Sequence, residues 1–200
     1  MTHELLVALV GFAAVSSLTP GPNNLMLMAS GANFGFRRTL PHMLGVGVGF
    51  TVMIVLVGAG LMALFDRWPI LHDLLKVVAV LYLGWLAWKI AHAAPPEGAE
   101  ARATARPLGF LQASAFQWVN PKAWSMALSA ITLYAASRDL TAVLWVAGAY
   151  VACGVISTST WVLLGRQVAR LLARPARLRW FNRAMAALLV LSLVPVLLPA

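Results

Sequence analysis

Cysteine and charge are both scarce in this chain of 200 residues. The one cysteine, Cys153, excludes an intramolecular disulfide and any chemistry that passes electrons between two thiols. Charged residues make up only 10% of the sequence, whereas hydrophobic residues make up 61% and the mean hydropathy is +0.82. A soluble domain of this size cannot cover so much apolar surface, so the composition indicates an integral membrane protein.

Acidic residues are missing from the centres of the long apolar segments. Asp66, Asp73 and Asp139 lie near segment ends, and the four histidines are scattered. This excludes the paired aspartates of one class of intramembrane protease, and no serine-nucleophile motif accompanies a histidine. A metal exporter would need clustered histidines or carboxylates. We therefore expect a protein that is not an enzyme and has neither a metal nor a cofactor.

Six segments are long and apolar enough to cross a bilayer, which takes about 20 residues each. They predict an all-α fold in one membrane domain over residues 1–200. Residues 93–107 alone resemble a linker, with three prolines, a glycine and mixed charge, and they divide the chain into halves of about 1–92 and 108–200. The predicted spans are 5–32, 43–65, 70–90, 108–135, 142–164 and 180–198.

The net charge of +9 is distributed unevenly. In a six-span topology, eleven of the basic residues fall on one side of the membrane and three on the other. The positive-inside rule makes the basic side cytoplasmic. Both termini are therefore predicted to lie outside, and the loop 93–107 inside. The same pattern favours contact with anionic membrane lipids over nucleic-acid binding.

Proline interrupts the first and the fourth predicted spans. Pro20-Gly21-Pro22 stands in the first and Asn120-Pro121-Lys122 in the fourth. Proline inside a helix costs about 3 kcal/mol, and the freed backbone groups are tolerated in a membrane only where they are buried or line a cavity. Packing kinks alone are one interpretation. The other is a transport site, because discontinuous helices bind substrates in secondary transporters.

The two interruptions fall at equivalent places in the two halves. An offset of 99 residues aligns Pro22 with Pro121, Ser30 with Ser129 and Gly49 with Gly148. Because each half has three spans, the halves must be inverted with respect to each other. The sequence therefore predicts six transmembrane helices in two inverted three-helix repeats, with the two breaks meeting near the middle of the membrane.

The breaks also predict what binds there. Two helix N-termini and the Lys122 ammonium lack an anion, which a substrate carboxylate would supply, and carbonyls of residues 16–18 would accept from its ammonium. The absence of an acidic partner, with several methionines nearby, favours neutral or apolar amino acids. The predicted substrate-binding residues are Pro20, Gly21, Pro22, Asn23, Asn24, Asn120, Pro121, Lys122 and Trp124.

Three further features support less specific predictions. Gly45 and Gly49 predict close helix packing, with a sliding surface as the alternative. The run 157–160, Ser-Thr-Ser-Thr, either lines a pathway or bonds back to its own helix. His42 is interpreted as an interfacial residue, and also as a candidate for titration near neutral pH.

These motifs together resemble the LysE/RhtB family of bacterial amino-acid exporters. The resemblance covers essentially the whole chain and is most specific at the two proline breaks. It implies an inner-membrane exporter of amino acids or their derivatives, driven by the proton motive force, and is compatible with a homodimer. The residues that carry it are Thr19 to Asn23, Gly31, Gly35 and Gly49, Tyr82 to Leu86, Asn120 to Lys122, and Phe181 to Arg183.

Two questions stay open from the sequence. The first is the cargo and mode, since another small amphipathic metabolite or toxic analogue, or a channel, would suit the same pattern. The second is the proton carrier, for which Lys122, His42, an aspartate at a span end and the substrate itself are the candidates.

Overall fold

The computed structural model describes residues 1–92, 106–137, 139–171 and 175–194. Within these ranges every regular element is an α-helix, which confirms the all-α prediction for this part of the chain. Residues 93–105 of the predicted linker, and the end of the sixth predicted span, lie outside the described residues. The helices are α1 (His3–Leu18), α2 (Pro22–Gly58), α3 (Met62–Arg67), α4 (Ile70–Ala91), α5 (Phe110–Val119), α6 (Pro121–Tyr134), α7 (Leu140–Leu171) and α8 (Pro175–Leu191).

Three of these helices are long and apolar enough to cross a membrane by themselves: α2, α4 and the Leu140–Ala169 part of α7. Their outward faces carry large exposed hydrophobic side chains, such as Leu81 at 68% and Val155 at 62% exposure. A water-soluble protein would not leave such long faces uncovered, so these surfaces suit lipid.

Helix α2 differs from the prediction in two places, before residue 43 and before residue 65. The sequence predicts a connection between residues 32 and 43, but the helix continues through it with one non-helical residue, Gly35, at φ 76° and ψ 176°. Glycine alone adopts that conformation readily, so a kink replaces a loop. The predicted end at residue 65 is also wrong. Gly60, at φ 98°, terminates the helix early, and α3 follows as a separate short helix.

Glycine allows α2 to lie in direct contact with two neighbours. A Cβ atom on Gly31 would collide with the Val162 carbonyl oxygen of α7, and one on Gly165 would collide with the Met28 carbonyl oxygen of α2. A Cβ on Gly49 would lie 2.6 Å from the Ser114 Cα of α5. The Gly49 contact agrees with the close packing predicted for Gly45 and Gly49.

The buried core forms two main clusters on either side of α2. One joins α1, α2, α6 and α7 around Leu9, Met53 and Val146. The other joins α4, α5 and α8 around Leu83 and Phe116, with Met26 of α2 contributing to it. Helix α2 therefore contacts both clusters, and the two cavities described below lie along it.

Candidate functional site

Two helix junctions lie next to each other in the structure. At the first junction, residues 19–21, α1 ends at Leu18 and α2 begins at Pro22, with Gly21 fully extended at φ −175° and ψ 177°. At the second junction α5 ends at Val119 and α6 begins at Pro121, with Asn120 at φ −92° and ψ 107°. At each junction, carbonyls of one helix end and N–H groups of the next helix start have no partner within their own helix.

The two junctions are joined crosswise by hydrogen bonds. Asn23, the second residue of α2, donates to Gln117 Oε1 at 2.8 Å and accepts from Gln117 Nε2 at 3.2 Å. Lys122, the second residue of α6, donates from Nζ to the carbonyls of Thr19 at 2.5 Å and Pro20 at 3.4 Å. The second residue of each new helix thus contacts the end of the helix that precedes the other junction. Asn23 and Lys122 are also paired by the 99-residue offset in the sequence.

Side chains occupy two of the carbonyls that the sequence assigned to a substrate ammonium. The Ser17 carbonyl accepts from Asn24 Nδ2 at 2.8 Å and from Ser157 Oγ at 2.7 Å, which uses both of its lone pairs. The Leu18 carbonyl accepts from Trp161 Nε1 at 3.2 Å. The prediction is therefore wrong for Ser17, because a broken helix inside a protein satisfies its own carbonyls with neighbouring side chains.

A cavity of about 70 Å³ lies between the junctions and is called the first cavity. No Asp or Glu lines it among the described residues. Five of the nine residues predicted from the sequence line it, namely Gly21, Asn23, Asn24, Asn120 and Lys122.

The other four predicted residues are placed elsewhere. Pro22 and Pro121 are the first residues of their helices, and Pro20 precedes the first start. Trp124 donates from its indole N–H to the Trp118 carbonyl at 2.8 Å and packs edge-on against Phe65 at 5.3 Å. Ala123 and Met126, three residues apart on α6, face the cavity, so Trp124 between them faces another direction.

The sequence analysis missed several lining residues, of which Tyr150 is the most informative. Its hydroxyl lies 3.1 Å from Ser16 Oγ, and Ser16 itself donates to the Phe12 carbonyl at 2.6 Å. Since Ser16 has a single hydroxyl proton, Tyr150 is the donor of the shared bond and its oxygen keeps a lone pair for another donor. The available signal was that Tyr150 is the single tyrosine of the predicted span 142–164.

Both interpretations of the 157–160 run are found in the structure. Ser157 bonds to Ser17 of α1 and lines the first cavity with Thr158. Thr160 bonds back to the Ile156 carbonyl of its own helix at 2.8 Å. Gln117 and Phe50 are further lining residues, and no sequence pattern pointed to either of them.

The two helix starts differ in how their N–H groups are capped. At the second, Asn120 Oδ1 accepts from the Lys122 backbone N–H at 3.2 Å. At the first, Gly21 has no side chain and no described side chain caps α2. The Lys122 side chain lies directly against this uncapped start, since a Cβ on Gly21 would be 2.6 Å from Lys122 Cδ and 3.2 Å from Nζ. A helix N-terminus beside an ammonium is suited to binding a carboxylate.

Two other candidates from the sequence are now placed. His42 is only 1% exposed, so the interfacial interpretation is wrong; the unbroken course of α2 around it brings it inside the bundle. Asp139 is exposed at the start of α7, where the Ser137 hydroxyl and the Ala142 N–H donate to its carboxylate. These bonds lower the pKa of Asp139 and so favour its charged form. No group of three His, Cys, Asp or Glu that could hold a metal occurs in the part of the chain described here.

A model of the LysE type translocator family matches residues 14–197. The chain belongs to this family. It is 30% identical over 197 residues to the cysteine/O-acetylserine efflux protein of Salmonella typhimurium strain LT2, covering 97% of this chain and 96% of the relative. It is 31% identical over 193 residues to the protein of the same name in Escherichia coli strain K12, covering 95% and 96%. No solved structure gives a significant match. The family resemblance predicted from the motifs is confirmed, and the LysE-family chain is a membrane transporter, not an enzyme.

Proposed function

We propose that this LysE-family protein exports small amino acids with uncharged side chains, cysteine and O-acetylserine among them, across the bacterial inner membrane. The observation that carries the proposal is the first cavity, which brings an uncapped helix start next to a lysine. No described carboxylate lines this cavity. The names of its relatives supply the two amino acids.

The substrate carboxylate binds at the start of α2. The backbone N–H groups of Asn23 and Asn24 donate to it there, and the Lys122 ammonium beside Gly21 adds a full positive charge. Lys122 donates two of its three N–H groups to the carbonyls of Thr19 and Pro20, so one remains for the substrate. Charge-assisted bonds of this kind contribute about 1.5–3 kcal/mol each.

The substrate ammonium and side chain are matched to the rest of the cavity. The Tyr150 oxygen accepts from the ammonium, and Thr158 supplies a second hydroxyl. Charge, and not size, separates the substrates, since lysine and O-acetylserine have equal numbers of non-hydrogen atoms. A basic side chain would find no described carboxylate to pair with in the first cavity, and its burial unpaired is costly.

The topology we propose has six spans in two inverted repeats. Helix α1 with the first part of α2, and α5 with α6, form the broken spans, and Gly35 divides α2. The 24 residues of α5 and α6 extend about 36 Å, enough for a hydrocarbon core of about 30 Å. The crosswise bonds of Asn23 and Lys122 support the inverted repeat. In such a repeat, two equivalent residues each contact the helix end that belongs to the other half. The basic side faces the cytoplasm, both termini face outward, and the proton motive force drives export.

Counterflow in proteoliposomes tests the function directly. Vesicles are loaded in turn with unlabelled cysteine, O-acetylserine, serine, lysine or glutamate, and uptake of the labelled amino acid is followed. We expect saturable counterflow for the first three and little for lysine and glutamate. Flux without saturation or counterflow would show a channel, and silence across the panel from folded protein would show a different cargo.

Cysteine labelling tests the orientation. In a Cys153→Ser background, single cysteines at His3 and at Arg106 are treated with a membrane-impermeant thiol reagent in right-side-out vesicles. We expect His3→Cys to react and Arg106→Cys to be protected. The reverse result would contradict the proposed topology.

A further inference from the structure

A second cavity, of about 80 Å³, lies further along α2 on the basic side of the molecule. It is formed by both sides of the Gly35 kink, the end of α4 and the residues before α5. Its polar lining comprises Ser30, Asn33, His42, Lys89 and Arg106. None of these was assigned to the proposed substrate site.

His42 is the exception among the buried polar groups around this cavity. Neither ring nitrogen has a hydrogen-bond partner among the described residues, although the side chain is 99% buried. Its neighbours are paired: Ser30 Oγ lies 2.9 Å from Thr39 Oγ1, and Asn33 exchanges two bonds with Asn182, at 3.0 and 3.3 Å. An unpaired buried polar group costs about 1–3 kcal/mol, and a bound ligand would remove that cost.

The charge around the second cavity defines the ligand. Lys89 and Arg106 both line it, and no Asp or Glu does so among the described residues. Lys89 also lies over the Trp85 ring, with its ammonium 5.3 Å from the ring centre. Two cations and an imidazole N–H need an anion that accepts hydrogen bonds.

We propose that the second cavity is a cytoplasmic-side binding site for the substrate carboxylate, held by His42, Lys89 and Arg106 before the substrate reaches the first cavity. This proposal rests on the amino-acid export proposed above. His42 donates an imidazole N–H to a carboxylate oxygen, and the two cations neutralise its charge. The first segment of α2 separates the sites: Asn23 lines one cavity and Asn33 lines the other, about 15 Å apart along the helix.

Transport measured from each face of the membrane tests the site. The half-saturating concentration (KM) of labelled O-acetylserine is determined in everted vesicles, for the cytoplasmic face, and in right-side-out vesicles, for the outer face. We expect His42→Leu to raise KM about tenfold at the cytoplasmic face and less than twofold at the outer face. His72→Leu, which removes an exposed histidine of α4, is the control. Equal effects at both faces, or none, would overturn the site, whereas no flux in the wild type would instead overturn the export function.

A second measurement needs no transport. In a Cys153→Ser background, His42→Cys is labelled with thiol reagents of similar size and opposite charge. We expect the anionic sulfonate reagent to react at least several-fold faster than the cationic ammonium reagent, and O-acetylserine to slow it. A faster cationic reagent, or no reaction, would overturn the proposal. Protection by phosphatidylglycerol in nanodiscs but not by O-acetylserine would overturn it in favour of a lipid phosphate.

Discussion

The two helix starts at the junctions have similar sequences but differ in how they are capped. Asn120 caps α6 with its side chain, whereas Gly21 leaves α2 uncapped. The second start also supplies Lys122, and the lysine extends away from its own helix to the uncapped start of α2. One start is therefore complete in itself, and the other has free N–H groups beside a cation.

This asymmetry assigns different roles to the two junctions. A lysine at the second position of a helix is disfavoured by the helix dipole, so it adds little to the stability of α6. It gains partners at the end of α1, where the carbonyls of Thr19 and Pro20 carry partial negative charge. In the proposed mechanism the carboxylate binds at the first junction, and the second junction holds the cation in place for it.

Removal of the Lys122 charge should have the largest effect. Lys122→Gln keeps a donor for the Thr19 and Pro20 carbonyls but loses the ammonium, so the fold is kept while the carboxylate loses its counter-charge. We expect counterflow of O-acetylserine to fall on the order of 100-fold, which corresponds to about 3 kcal/mol. Lys76→Gln, at an exposed position of α4, should behave as wild type. Wild-type counterflow in Lys122→Gln would end the distinction between the two starts.

Loss of the bond between the junctions should come next, and chiefly as a loss of stability. Gln117 is fully buried and exchanges two bonds with Asn23. Gln117→Leu preserves volume but leaves the Asn23 amide unpaired, at a cost of about 2 kcal/mol. We expect the thermal midpoint in detergent to drop by about 4–8 °C. Gln167→Leu, exposed on α7, is the matched control, and equal midpoints in the two variants would show that the junctions are not coupled.

The main features of this site were predictable because they depend on local chemistry. Proline and glycine specify where α2 and α6 begin, and Asn120 specifies a cap, so these positions follow from the sequence alone. The partners do not. Gln117 and Tyr150 are ordinary residues of apolar helices until the fold brings them to Asn23 and Ser16, nearly a hundred residues or more away.

The fold itself was predictable to the same extent. The length of the apolar segment predicted the end of α4 to within one residue, because a lipid-facing helix is recognisable from its composition. The connection expected before His42 was wrong, because a single glycine at positive φ turns a helix without the polar residues that mark a loop. The burial of His42 follows from its position within the continuing helix and could not be read from the segment alone.

A side-chain cap supplied to the first start should make it resemble the second. Gly21→Asn offers an oxygen to the α2 N–H groups, and its Cβ displaces Lys122, which now lies 2.6 Å from that position. We expect counterflow to fall about tenfold, since the cap competes with the substrate carboxylate. Gly21→Ala moves Lys122 without providing a cap, so its counterflow should lie between those of the wild type and Gly21→Asn. Gly11→Ala, where a Cβ meets nothing within 4 Å, controls for the added methyl group.

Removal of the cap from the second start should have the smallest effect. Asn120→Ala frees the Lys122 backbone N–H and costs about 1 kcal/mol, the usual value for a lost cap. Thr2→Ala removes the cap of α1 and is the matched control. We expect the thermal midpoint to fall by about 2–4 °C and counterflow by about two- to threefold. Because Asn120 lines the same cavity, its loss exposes a second set of helix N–H groups to the substrate. If counterflow fell as far as in Lys122→Gln, Asn120 itself would be a substrate ligand, and both helix starts would bind the cargo.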